Sequence, residues 1–115
     1  MRTNIFRDRL FAAVEVLAAL YMERAVIINQ LHAVEAAMEK RRVEMLSSID
    51  IKALGSNEDI RKLAIAKLLM EDPAHNELAT GKAKLQADQS IVEAQISGYE
   101  ALRGRLEQRY QRVQA

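Results

Sequence analysis

His32 and Glu35 stand three residues apart in a helical pattern and so share one face of a helix. That pairing hints at a metal site. A di-metal helical bundle draws Glu-x-x-His from each of two helices and adds further carboxylates. Here the order is reversed, and the only other histidine, His75, stands at the start of a different helical stretch. The chain has no cysteine, which excludes a thiolate zinc site, an iron–sulfur cluster and a disulfide framework. Thr80-Gly81-Lys82 matches the tail of a phosphate-binding loop, but the upstream glycine is missing. The segment also lies inside a helical pattern instead of following a strand. A nucleophilic site needs Ser, Thr or Cys beside an oriented base. Five serines, two threonines and two histidines are present, none in such a context. The expectation is a protein without enzymatic activity, with no metal, no cofactor and no small-molecule ligand.

The arginines carry a stronger pattern. If the first and last helical stretches run antiparallel, the chain ends meet. Arg2, Arg7, Arg9, Arg103, Arg105, Arg109 and Arg112 then gather at one tip, opposed only by Asp8, Glu100 and Glu107. Such a surplus of positive charge can contact phosphates, so the seven arginines are a candidate nucleic-acid surface. Tyr99 and Tyr110 could stack on bases, but their spacing suits core packing. Lys40, Arg41 and Arg42 form a smaller basic cluster toward the other end. The alternative is a solvated helix tip laced with ion pairs. Net charge is only +1, with both signs spread along the chain, as on a solvated helical surface.

Positioning these groups falls to helices. Half of the 115 residues are apolar, mostly Ala, Leu, Ile, Val and Met, and no Trp is present. Residues 4–46 hold neither Pro nor Gly and predict one helix, with Asn4 as its cap. Phe6, Leu10, Ala13, Leu17, Leu20, Ile27, Leu31, Val34, Met38 and Met45 recur at alternating steps of four and three. Only Arg24 and Arg41 interrupt this coiled-coil seam. A second row, Val14, Tyr21 and Ile28, widens the apolar stripe beyond what one partner helix covers. Phe6, Leu10, Val14, Leu17, Tyr21, Ile28 and Leu31 are therefore the expected oligomer or partner interface.

Residues 47–57 hold the turn, with Gly55 suited to a positive φ and Ser56 or Asn57 able to cap the next helix. That short helix, over 58–70, is expected to be buried on two sides. Asp72 then caps a second long helix, 73–112, with Pro73 in its first position. Asp88, Gln89 and Gln95 weaken its seam, and Gly98, Ala101 and Gly104 fit either a close approach to another backbone or a locally frayed helix. The predicted architecture is all-α and one domain: a long antiparallel helical hairpin with a short third helix near the turn, paired into a homodimeric bundle. Asp8, Glu15 and Glu23 interrupt the N-terminal apolar run, so no membrane span is expected, and a cytoplasmic location is.

The stretch IDIKALGSNEDIRKLAIAKLLMEDPAHNEL, residues 49–78, resembles a pattern in small all-α phage and prophage accessory proteins. There a long helix is followed by a D-x-x-x-L-G-x-N turn, an apolar helix bearing Arg and Lys, an Asp-Pro step and a second long helix. The resemblance implies a phage-type accessory protein, often found among replication and recombination functions, and transfers no catalytic residue. Three functions are compatible with these features: a self-associating module that binds another protein, a nucleic-acid-binding accessory protein, or a helical-hairpin chaperone or adaptor of a secretion or assembly machine.

Overall fold

The computed structural model describes residues 2–114, with side chains from Ile5 onward. It is all-helical: α1 spans Arg2–Ser47, a single 3₁₀ turn Ile51–Leu54, α2 Glu58–Glu71 and α3 Pro73–Gln114, with no strand among the described residues. α1 starts at Arg2, so Asn4 lies inside the helix and is not its cap. No described helix is long and apolar enough to cross a membrane. The chain divides into two compact units. One joins Met1–Ile28 to Ala87–Ala115, and the other is Asn29–Gln86. α1 and α3 each contribute a segment to both.

In the first unit, Ala13, Leu17, Leu20 and Ile27 of α1 are buried with Val92, Ile96 and Leu106 of α3. The α1 residues are those of the predicted seam, and burying each contributes about 1.5–3 kcal/mol for the larger side chains. Arg24 interrupts the seam and is kept half-buried by polar partners. Its guanidinium lies 5.2 Å from the ring centroid of Tyr21 and 3.5 Å from Glu93. The Tyr21 hydroxyl donates to Glu100 Oε1 at 2.8 Å. That bond holds the phenol above its ordinary pKa, because ionisation would lose the donor and set two negative charges together.

In the second unit, Leu31 is buried and Lys82 reaches Glu35 at 3.9 Å. Arg41, the other seam interruption, forms a two-pronged bond to Asp72, at 2.9 and 2.8 Å. Asp72 also accepts the backbone N–H of His75 at 2.8 Å, so one carboxylate caps α3 and ties it to α1. Pro73 occupies the first position of α3, where a missing N–H costs nothing. At the end of α2, the Asn76 amide donates to the Met70 carbonyl at 2.7 Å.

The turn is more ordered than a loop. Asp50 accepts from the Lys52 N–H at 3.1 Å and starts the 3₁₀ turn. Asn57, and not Ser56, caps α2, accepting from the Ile60 N–H at 2.9 Å. α2 has no buried residue, and Leu63 and Met70 are 72% and 74% exposed. The expected burial on two sides is thus corrected to one. Ala64, Ile65, Leu68 and Leu69 are half-buried, and the outer side is exposed among the described residues.

Gly55 is extended, at φ 175°, so the expected positive φ does not occur. Its glycine is required for space: a Cβ there would clash with the Ile60 side chain and crowd the Arg61 backbone nitrogen. Gly81, Gly98 and Gly104 have nothing within 4 Å of an added Cβ, so no backbone within the chain approaches them. The same substitution should therefore have opposite outcomes at two positions. Gly55→Ala should destabilise by about 1–3 kcal/mol through overpacking. Gly81→Ala should stabilise by about 1 kcal/mol through helix propensity. Urea unfolding of the two variants checks both signs.

Candidate binding groove

The structure separates the expected interface residues into three kinds. Leu17 and Leu31 are buried inside the single chain and belong to its own core. Phe6, Leu10, Tyr21 and Ile28 are half-buried. Val14 is 44% exposed, on the side of α1 turned away from the core. Phe11 and Met22 extend that surface, at 58% and 72% exposed. Neither belongs to the expected interface. The signal is present, since Phe11, Val14, Ala18, Tyr21, Ala25 and Ile28 follow heptad spacing.

The expected arginine cluster also divides. The side chain of Arg2 lies outside the described residues. Arg7 is 3.6 Å from Asp8, and Arg103 is 3.8 Å from Glu107. Arg112 is exposed. Arg9 of α1 and Arg109 of α3 are brought together at the mouth of an open groove of about 350 Å³, floored by Ala12, Ala13, Val16, Leu102 and Leu106, with Tyr99 in its wall. Arg105 stands beside Arg109 in an adjoining hollow. Further along α3 the same side continues through Gly98 and Gln95. It ends in a recess formed by Glu23, Ile27, Asp88, Ile91, Val92 and Gln95. The two polar interruptions Asp88 and Gln95 therefore lie on this side. Ile91, Gly98, Leu102, Arg105 and Arg109 repeat at heptad spacing, a second row on α3 that the weak seam obscures.

Among the described residues, Arg9, Arg105, Arg109, Glu23 and Asp88 enter no ion pair with one another or with other described side chains. The groove is an apolar floor with unpaired cations at one end and unpaired carboxylates at the other.

The other candidate chemistries are not assembled. No group of three or more His, Cys, Asp or Glu among the described residues could hold a metal ion. His32 is exposed, and Glu35 pairs with Lys82. Thr80-Gly81-Lys82 lies within α3, where the Thr80 hydroxyl donates to the Asn76 carbonyl at 2.9 Å, so it offers no phosphate-cradling loop. No family model, curated protein or solved structure matches this chain.

Proposed function

We propose that this is a non-enzymatic, self-associating interaction protein of the cytoplasm that binds another protein, a phage-type accessory module built as an antiparallel helical hairpin and working as a homodimer. Contacts within each unit support the antiparallel register. Moving forward from Tyr21 to Arg24 in α1 moves the partner back from Glu100 to Glu93 in α3. From Glu35 to Arg41 it moves back from Lys82 to Asp72. The observation that carries the function is the exposure of Phe11, Val14 and Met22 on the side of α1 away from the core. Contiguous apolar surface of this kind marks interaction sites.

Light scattering at micromolar concentration tests self-association. A mass twice the 13.0 kDa of the chain is expected, and a mass of 13.0 kDa at all concentrations would overturn it. Val14→Asp should abolish capture of the partner protein from host extract while leaving the circular dichroism spectrum intact. The second reading is nucleic-acid binding, favoured by the convergence of Arg9, Arg105 and Arg109. It requires an oligonucleotide affinity that falls steeply with salt.

A further inference from the structure

We propose that the groove lined by Arg9, Val16, Leu102 and Arg109 is the surface through which two copies of this chain pair face to face and antiparallel about a two-fold axis. The inference rests on the self-association proposed above and names its surface, which is distinct from the exposed Phe11–Val14 side of α1.

The argument is one of charge against position. Arg9, Arg105 and Arg109 lie at one end of the groove, and Glu23 and Asp88 at the other. A second copy can be laid face to face in two ways. With the axis along the helices, cations meet cations and carboxylates meet carboxylates. With the axis across the groove, each cationic end covers the partner's acidic end, and the pairing is satisfied twice by symmetry. Like-charge contact rejects the first arrangement, so the charges specify direction as well as partner. A nucleic acid would profit from the cations but be repelled by Glu23 and Asp88 on the same face.

The floor suits a helix. Ala12 and Ala13 on α1 and Gly98 on α3 keep it shallow, and Val16 and Leu102 supply apolar surface. Gly98 lies between the charged ends, and a Cβ there would meet nothing within the chain. The open space above Gly98 leaves room for a second backbone to cross the groove. Ile91, 59% exposed in the single chain, becomes covered in the same arrangement.

The test uses charge reversal and repair in the full-length chain, with mass read by sedimentation. Reversing Arg105→Glu and Arg109→Glu should weaken the dimer on the order of tenfold or more, as should Glu23→Arg with Asp88→Arg. Combining all four should restore it. Gly98→Leu should give a fully helical monomer. All these positions are exposed or half-buried, and a parent-like helical circular dichroism spectrum below the melt confirms that the variants fold, while a dissociated dimer melts earlier by mass action. The proposal is overturned if the four-fold variant fails to recover. It is also overturned if the wild type is a dimer insensitive to these changes but split by Val14→Asp, in which case self-association stands and runs through α1. A monomeric wild type overturns both. If the arginine reversals abolish binding of a single-stranded oligonucleotide without altering mass, the groove is a nucleic-acid surface and the pairing is rejected.

Discussion

Leu17→Asp should leave the chain largely unfolded, with far-UV circular dichroism close to that of a coil. Leu17 is 1% exposed, the most completely enclosed of the described side chains of the first unit, and the other buried residues of that unit are all apolar. Losing the leucine alone, as in Leu17→Ala, costs about 2–5 kcal/mol through lost burial and the cavity left behind. An aspartate adds an uncompensated buried charge, worth several kcal/mol more. The sum is comparable to the whole stability of a small domain, about 5–15 kcal/mol. Leu31→Asp, at a 7% exposed position in the second unit, should behave similarly. Glu35→Ala is the control. It removes only a 3.9 Å contact between half-exposed partners, so its stability should stay within about 0.5 kcal/mol of the parent. A native-like melt for Leu17→Asp would show that the chain does not pack along this seam.

The seam was legible because a buried helix stripe leaves a periodic trace. Ala13, Leu17, Leu20, Ile27 and Leu31 recur at the spacing that keeps one side facing inward, and they are the buried residues of α1. The two arginines in that seam were legible only as interruptions. A guanidinium in such a position must find an acceptor, but the acceptor's identity depends on the register between α1 and α3. No local pattern sets that register. Glu93 and Asp72 lie 69 and 31 residues away from their arginines, which follows from the numbering of each pair. Gly55 was misread for a related reason. Sequence marks a glycine as special without saying whether the backbone or the space demands it. Here the Ile60 side chain occupies the place of its Cβ.

The groove was less visible still. It is made by two rows along the margin of the core, Arg9 to Glu23 on α1 and Asp88 to Arg109 on α3, in which buried and exposed side chains alternate. The α1 row mixes alanine with charge and the α3 row mixes glycine, glutamine and charge, so neither has a strong hydrophobic period. Grouping the arginines by their nearness to the chain ends caught Arg9, Arg105 and Arg109. It also swept in Arg7 and Arg103, which have carboxylates of their own. The acidic end was missed altogether, because Glu23 and Asp88 read separately, as a break in the N-terminal apolar run and as a flaw in the α3 seam.

Asp72→Ala, at the one buried polar side chain among the described residues, should lower the melting temperature by about 5–10 °C. Only 8% of Asp72 is exposed, and it accepts three bonds: Arg41 Nε at 2.9 Å, Arg41 Nη2 at 2.8 Å and the His75 N–H at 2.8 Å. Removing it deprives α3 of its cap and leaves the Arg41 guanidinium without its main acceptor. The bonds from Arg41 are the chief cause that holds the Asp72 carboxyl at about 2, against the opposing pull of burial, with the His75 N–H helping. An unfolded aspartate titrates at about 3.9. A folded value below the unfolded one means that the native state binds the proton less tightly. The stabilisation is therefore complete above the unfolded value and is lost as pH falls toward about 2. Asp72→Asn isolates this effect, since the amide oxygen can still cap α3 but carries no charge and does not titrate. The gap in melting temperature between parent and Asp72→Asn should be constant near neutral pH and close progressively between about pH 4 and pH 2. Other carboxylates titrate alike in both proteins and cancel in the difference. A gap that stays constant through that window would mean that the Arg41–Asp72 pair does not hold α1 to the start of α3 in solution.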